Sequence, residues 1–95
     1  SRFFCLKLLT MFFVYVLYSE AFDRIYIGIT DNLDRRLSQH NNGYNPPTKS
    51  FRPWKVVFYE QYETRSEARD KEKKLKTSSG RRYIRKRIES DFGRD

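Results

Sequence analysis

Two tyrosines, an arginine, a histidine and a glutamate carry the functional groups needed to hydrolyse a phosphate ester. Tyr26 follows Tyr15 by eleven residues, and Arg36 follows Tyr26 by ten. His40 comes four residues after Arg36, and Glu72 lies farther along the chain. Two phenols beside a cation can position or deprotonate a water molecule, and the guanidinium fork suits a phosphate. A carboxylate can hold a Mg²⁺-type ion, so the set predicts a candidate site for metal-assisted phosphodiester cleavage.

The two tyrosines fall in segments that have the composition of β-strands. Residues 12–18 are rich in aromatic and β-branched side chains, and residues 24–30 alternate isoleucines with Tyr26 and Gly28. We expect a hairpin in which Tyr15 stands beside Tyr26, and in which Gly28 lets a ligand or a neighbouring ring approach the backbone. Aromatic residues also pack sheets, so either tyrosine alone can have a purely structural role.

Arg36 and His40 share one stripe of a helix predicted over residues 31–41. Leu33, Arg36, Leu37 and His40 fall at i, i+3, i+4 and i+7, which places all four on one face. An arginine on the inward face needs a partner, because an unpaired buried guanidinium is costly. His40 can donate to a phosphate or relay a proton, and its alternative role is that of a packed, hydrogen-bonded core histidine.

Glu72 lies on a second predicted helix. After a third strand at residues 54–62, a capping-box pattern opens a helix that runs to about Lys76. Glu72 falls between Ala68 and Leu75, the two apolar residues of that helix, and is therefore expected to face inward as a metal ligand. The alternative is an exposed glutamate paired with Lys76 at i, i+4.

The excess positive charge is concentrated in the C-terminal third of the chain. The chain has a net charge of +8, from 20 Lys and Arg and 12 Asp and Glu. Residues 65–87 hold eleven basic and three acidic residues, and the remainder sums to zero. Such a block indicates a polyanionic partner, for which nucleic acid is favoured over an anionic membrane surface. The alternative is a solvated surface that binds no partner. The predicted nucleic-acid contacts are the open backbone at Gly28 and the basic residues Lys73, Lys74, Lys76, Arg81, Arg82, Arg85 and Lys86.

The cysteine and histidine counts restrict the metal and the compartment. A single cysteine, Cys5, allows neither an intrachain disulfide nor a thiolate cage, which fits a reducing, cytoplasmic setting. One histidine argues against structural zinc, so any metal is expected to be one oxygen-bound Mg²⁺ or Mn²⁺ ion. Residues 1–10 are interpreted as neither a signal peptide nor a membrane span. Residues 11–90 are interpreted as one domain and residues 91–95 as a tail.

The ordered set of residues resembles the GIY-YIG nuclease family, in particular its small stand-alone bacterial members. Tyr26-Ile27-Gly28 matches the second family motif, whereas Phe13-Val14-Tyr15 stands in place of the first motif and retains its tyrosine. The resemblance covers most of residues 12–88, and it implies that residues 1–10 are an upstream extension outside the fold. It implies a phosphodiesterase site in which Tyr15 and Tyr26 contact the water and the scissile phosphate. Arg36 and His40 then contact the phosphate oxygens, and Glu72 holds the metal.

The predicted fold is an α/β domain of the α+β type, with a three-stranded antiparallel sheet flanked by helices in the order β-β-α-β-α-α. Its last helix is expected over residues 81–89, after a break at residues 77–80. The resemblance implies a metal-dependent endonuclease that acts on DNA, including branched or damaged DNA, in repair or recombination, with no membrane partner. Two alternatives stay open: a non-catalytic nucleic-acid-binding domain that retains the nuclease fold, and a protein-interaction module built on the aromatic strands.

Overall fold

The computed structural model describes residues 11–93, in which a three-stranded sheet carries helices on both faces. The elements in chain order are β1 (Phe12–Ser19), β2 (Arg24–Thr30), α1 (Leu33–Asn41), α2 (Pro46–Lys49), β3 (Lys55–Tyr62), α3 (Arg65–Leu75) and α4 (Ser78–Phe92). The predicted α+β fold and its element order are therefore confirmed, with the four-residue α2 added between the first long helix and the third strand. Within residues 11–93, no helix is both long enough and apolar enough to cross a membrane.

β1 occupies the centre of the sheet and pairs antiparallel with both neighbours, in the order β2-β1-β3. Its run of aromatic and β-branched residues suits a strand that is covered on both faces, because such side chains pack well on a pleated surface. Tyr15 is paired with Gly28 on β2 and with Tyr59 on β3. Paired residues point to the same face, so the ring of Tyr15 has a glycine on one side of it.

Alternation along the strands divides the core into two layers. One face of the sheet packs against α3 and α4 through Val14, Val16, Ile27, Ala68, Leu75, Ile84 and Ile88. The opposite face buries Tyr15, Leu17 and Trp54, with part-buried side chains around them that include Tyr26, Leu33 and Leu37. The tyrosines of the candidate site thus lie on the α1 face of the sheet, and the basic helix α4 packs on the other face.

The helix boundaries differ from the prediction at the C-terminal end of the chain. The Thr77 side chain accepts a hydrogen bond from the Gly80 backbone, so residues 77–80, which were expected to break the chain, begin α4. Threonine and serine side chains cap helices as readily as they interrupt them, which explains the error. α4 also continues to Phe92, whose ring lies 5.3 Å from that of Tyr18, within the segment that was expected to be a tail. Residues 1–10 lie outside the described residues.

Candidate active site

The phenol of Tyr15 lies across the backbone of Gly28. A Cβ atom built on Gly28 would stand 2.6 Å from Tyr15 Oη, 2.8 Å from Tyr15 Cζ and 3.1 Å from Tyr26 Cε2. The two tyrosine rings are neighbours, with centroids 6.2 Å apart. Of the two occupants expected above Gly28, a ligand or a ring, the structure places the Tyr15 ring there. Gly28 itself is buried, and a contact with nucleic acid at this residue stays a prediction.

A chain of hydrogen bonds joins Tyr15 to His40 and then to Thr48. Tyr15 Oη lies 3.0 Å from His40 Nε2, and His40 Nδ1 lies 2.8 Å from Thr48 Oγ1. Thr48 Oγ1 in turn donates to the carbonyl of Asn45 at 3.2 Å. Tyr15, His40 and Thr48 are each no more than 1% exposed. The helical stripe therefore carries His40 inward as predicted, and its partners turn out to be a phenol and a hydroxyl.

The hydrogen-bond directions determine which nitrogen of His40 carries the proton. The Thr48 hydroxyl has one hydrogen, which it gives to Asn45, so it accepts from His40 Nδ1–H. In the neutral imidazole the other nitrogen, Nε2, is then an acceptor and receives the hydrogen of the Tyr15 phenol. The chain thus directs the Tyr15 proton towards a nitrogen that can take it up.

Tyr26 and Arg36 form the accessible rim of this site. The Tyr26 ring lies 4.8 Å from the His40 ring in an edge-on arrangement, and both Tyr26 and Arg36 are part-exposed. Arg36 Nε donates to Tyr15 Oη at 3.4 Å, and Arg36 Nη1 donates to Gln39 Oε1 at 3.0 Å. The structure therefore brings all four predicted side chains together, with Tyr15 and His40 inside and Tyr26 and Arg36 at the surface.

Burial controls the protonation of the inner pair. It raises the pKa of the Tyr15 phenol to about 12, an effect that Arg36 partly offsets and that the charges of Tyr26 and Glu72 reinforce. Burial, followed by the charge of Arg36, lowers the pKa of His40 to about 4. Burial also opposes the charge of Arg36, but hydrogen bonds and charge interactions with both phenols raise its pKa overall. At neutral pH the resting site therefore holds a neutral phenol, a neutral imidazole and a guanidinium cation.

Glu72 lies on α3, which packs on the face of the sheet opposite to Tyr15, and its charge contributes to raising the pKa of the Tyr15 phenol. Its side chain is 20% exposed, and Oε2 lies 3.2 Å from Lys76 Nζ, so it faces partly inward and also forms the alternative i, i+4 pair. No cluster of three or more His, Cys, Asp or Glu that could hold a metal occurs in residues 11–93. Mg²⁺ in phosphoryl-transfer sites is commonly held by one or two carboxylates together with water and phosphate oxygens. Glu72 fits that mode and does not fit an all-protein cage.

The predicted basic contacts lie on α3, at its C-cap and on α4, away from the Tyr15 face of the sheet. All of them are exposed, as expected for groups that meet a phosphate backbone: Lys73, Lys74, Lys76, Arg81, Arg82, Arg85 and Lys86. Two of these cations already have carboxylate partners, because Lys76 pairs with Glu72 and Arg85 pairs with Asp23 at 2.6 Å. Nucleic-acid contact by this set stays a prediction.

The sequence interpretation missed Thr48 and the packing that holds it. Trp54 Nε1 donates to the Thr48 carbonyl at 2.9 Å, and the Trp54 backbone exchanges hydrogen bonds with the Asn41 side chain at 2.6 and 3.1 Å. These contacts fasten the end of α1 and the loop with α2 to the start of β3. The signal that could have pointed to Thr48 was a hydroxyl eight residues after His40 in a proline-rich loop, which has no periodicity to give it a direction.

Comparison with known proteins yields one family and a group of small bacterial relatives. A family model described as the GIY-YIG catalytic domain matches residues 11–87. A UPF0213 protein of Staphylococcus saprophyticus is 34% identical over 62 residues, covering 64% of this chain and 76% of that protein. UPF0213 proteins of Clostridium perfringens and Listeria monocytogenes are 36% identical over 67 residues and 41% identical over 70 residues. These two matches cover 70% of this chain and, respectively, 71% and 79% of the relatives. No solved structure gives a significant match.

Proposed function

The chain belongs to the GIY-YIG catalytic domain family, a family of nucleases, and from that premise we propose that it is a divalent-metal-dependent endonuclease that hydrolyses DNA phosphodiester bonds. The observation that supports this proposal best is the buried hydrogen-bonded chain from Tyr15 through His40 to Thr48. A protein that needed only a packed core could place apolar side chains here. A phenol aimed at an imidazole nitrogen is instead suited to proton transfer.

In the proposed reaction, a water molecule bound between the two phenols attacks the phosphorus atom. As the new O–P bond forms, the water gives a proton to Tyr15 Oη and Tyr15 passes its own proton to His40 Nε2. His40 keeps its Nδ1–H bond to Thr48, so the ring stays oriented while it becomes an imidazolium. The negative charge gained by the phosphate stabilises the new positive charge on His40. The departing oxygen takes up a proton from solvent as its bond to phosphorus breaks.

Arg36 has to change partners for this reaction to occur. In the free protein its Nε lies over Tyr15 Oη, and Tyr15 is 1% exposed. A phosphate is a stronger partner for a guanidinium than a neutral phenol, because the hydrogen bond is charge-assisted on both sides. Substrate binding therefore draws Arg36 to the phosphate and opens Tyr15 to water. When bound, a Mg²⁺ or Mn²⁺ ion held by Glu72 supplies further charge neutralisation at the phosphate oxygens.

The test is a metal-dependent nicking assay on supercoiled plasmid and on branched and damaged DNA, the substrates expected for repair or recombination. Wild-type protein should cut with Mg²⁺ or Mn²⁺ and not with a chelator. Tyr15→Phe keeps the ring and loses the hydroxyl, so its rate should fall by at least ~10²-fold with DNA affinity unchanged. Tyr83→Phe, which changes an exposed phenol on α4, serves as the matched control. Normal cutting by Tyr15→Phe would sink the proposed proton transfer.

A second candidate function is supported by the pKa values of the inner pair. A general base works best when its pKa lies near the working pH. The pKa of Tyr15 is about 12 and the pKa of His40 is about 4, so both are far from neutral pH. This pattern favours a non-catalytic nucleic-acid-binding domain that retains the fold. The same assay separates the two functions, because a binder would retain plasmid at low salt and never nick it with either metal.

A further inference from the structure

An exposed aromatic side chain stands in the turn that joins β1 to β2. Phe22 is 50% exposed, and its ring centroid lies 5.5 Å from that of Phe51 in an edge-on arrangement. The guanidinium carbon of Arg24 lies 4.7 Å from the centroid of the same Phe51 ring. The two rings and the guanidinium of Phe22, Phe51 and Arg24 therefore form one surface, which we call the hairpin platform.

The hairpin platform lies on the face of the sheet that carries the candidate active site. Phe51 packs against the layer that buries Tyr15 and Trp54. Arg24 and Tyr26 are two residues apart on β2, so their side chains point to this same face. At ~3.3 Å per residue their backbones are about 7 Å apart. Because Tyr26 belongs to the accessible rim of the candidate active site, the hairpin platform adjoins that rim.

Packing explains Phe51 but leaves the other two members of the platform without a structural purpose. Phe51 is part-buried against the core, as expected of an aromatic residue that stabilises the fold. Phe22 leaves half of its surface in solvent, and Arg24 is also exposed. No salt bridge to the Arg24 guanidinium occurs among residues 11–93. An exposed ring beside an uncompensated cation suits a ligand that offers both a π surface and a negative charge.

A nucleotide offers both of these features. Its base can stack on an aromatic ring or on an arginine plane, and this contact accepts any base because every base has a π face. Its phosphate carries the negative charge that a guanidinium binds. A DNA strand advances ~3.4 Å per nucleotide along its axis, so a separation of about 7 Å corresponds to two nucleotides. A strand that passes Tyr26 would therefore reach the platform within that distance.

We propose that the hairpin platform is a base-stacking site that holds one unstacked base of the substrate, about two nucleotides or fewer from the scissile phosphate. The base lies on the Phe22 ring, and the adjoining phosphate lies at Arg24. The position relative to a cut rests on the proposed nuclease function, whereas the preference for a base rests on the platform itself. A base inside a continuous duplex is stacked on its neighbours and cannot also stack on Phe22. The site therefore selects strands that have an unpaired nucleotide near the cut.

The first experiment tests base recognition without cleavage. In the presence of a chelator, affinity is measured for an oligothymidylate of about eight nucleotides and for a strand of abasic deoxyribose phosphates of equal length. The wild type should bind the base-bearing strand at least about five-fold more tightly, because stacking of one base on an aromatic side chain is worth about five- to 100-fold in affinity. Phe22→Leu keeps an apolar side chain against Phe51 but loses the π face, so it should lose most of this preference.

Three further variants separate the contributions to binding. Phe22→Trp restores a π face and should keep the preference for bases. Tyr83→Leu changes an aromatic side chain of matched exposure, 48%, on α4 and should keep it as well. Arg24→Gln should weaken the binding of both strands equally, and it should reduce the slope of log affinity against log salt by ~0.7, the value for one phosphate of a single strand.

Two results would overturn the base-stacking site. The first is equal affinity of the wild type for the base-bearing and the abasic strand, and the second is a preference that persists in Phe22→Leu. Dimerisation that Phe22→Leu abolishes, together with equal affinity for the two strands, would assign the hairpin platform to a second copy of the chain instead.

The second experiment locates the base relative to the cut. Bases are removed one at a time from a cleavable strand, and the half-saturation and the single-turnover rate at saturating DNA are measured. Removal at one position within about two nucleotides of the cut should raise the half-saturation of the wild type and leave that of Phe22→Leu unaffected. The rate at saturation should not change, because the platform contacts no reacting atom. Equal effects in the two proteins at every position would refute this placement.

The two experiments distinguish a failure of the base-stacking site from a failure of the nuclease. A protein that prefers base-bearing strands through Phe22 but never nicks DNA would retain the site and refute the nuclease. A protein that nicks DNA but binds base-bearing and abasic strands alike would retain the nuclease and refute the site.

Discussion

Replacing Gly28 by alanine should disable the proposed site without removing any functional group. The added Cβ would lie 2.6 Å from Tyr15 Oη and 2.8 Å from Tyr15 Cζ. Non-bonded heavy atoms are comfortable at ~3.5 Å or more, so the Tyr15 phenol must move by roughly 1 Å. Gly28 is not among the glycines with positive φ, so alanine can adopt its backbone conformation and the effect is purely steric.

Tyr15 has little freedom to make that movement. It is 1% exposed and hydrogen-bonded to His40. Overfilling a packed core typically costs ~1–3 kcal/mol, which for a domain of this size lowers the melting temperature by roughly 5–20 °C. A displacement of ~1 Å in a reacting group can cost ~10²-fold in rate. We therefore expect Gly28→Ala to cut DNA at least ~10²-fold more slowly under single-turnover conditions, with nearly unchanged DNA affinity at a temperature where it is folded.

Tyr15→Phe in the Gly28→Ala background separates the steric effect from the chemical one. It removes the atom closest to the new methyl group but leaves Cζ in contact, so the melting temperature should recover in part. Cleavage should not recover, because the hydroxyl is gone. Melting temperature and nicking rate are measured for the wild type, both single variants and the double variant. Wild-type activity in Gly28→Ala would refute the close approach, and an active double variant would refute the role of the hydroxyl.

Four further outcomes are expected. Thr48→Val should lower the free energy of unfolding by ~1–3 kcal/mol in urea titrations, because His40 Nδ1–H loses its acceptor. Since the pKa of His40 is about 4 when folded and 6.5 when exposed, the unfolded chain binds more protons between these values. Stability should therefore fall as the pH drops from 6.5 to 4, by up to ~3 kcal/mol, and His40→Gln should lack this share of the slope. Glu72→Gln should lose cleavage and should also lose Mn²⁺ binding, which electron paramagnetic resonance measures, while its DNA affinity is retained. Arg36→Lys should lose most of the cleavage rate, whereas Arg35→Lys, at an exposed position, should cut normally.

Local periodicity explains which parts of the site could be predicted. A period of two along β2 placed Tyr26 and Gly28 on one face. A helical stripe with two leucines predicted that Arg36 and His40 face inward, which the structure shows fully for His40 and partly for Arg36. Thr48 could not be predicted, because its direction depends on Trp54 and the carbonyl of Asn45, and the four-residue helix α2 is too short to show a repeating pattern. The capping threonine at the start of α4 was misread for a related reason, since a Ser- and Gly-containing stretch interrupts one helix and begins the next with the same residue types.

The inner hydrogen-bonded chain is better explained by chemistry than by stability. Each of its polar groups gives up solvation that a hydrogen bond only just restores, so the net gain per bond is ~1 kcal/mol and the loss of any partner costs more than that. Leu17, two residues along the same strand and on the same face as Tyr15, is fully buried and shows that an apolar side chain packs well in this layer. Keeping Tyr15 and His40 there also requires a glycine opposite, which weakens a strand because it has no side chain to pack. The tyrosine, the histidine and the glycine thus each reduce packing energy at one place on the sheet, which supports the proposed proton transfer over a purely structural role.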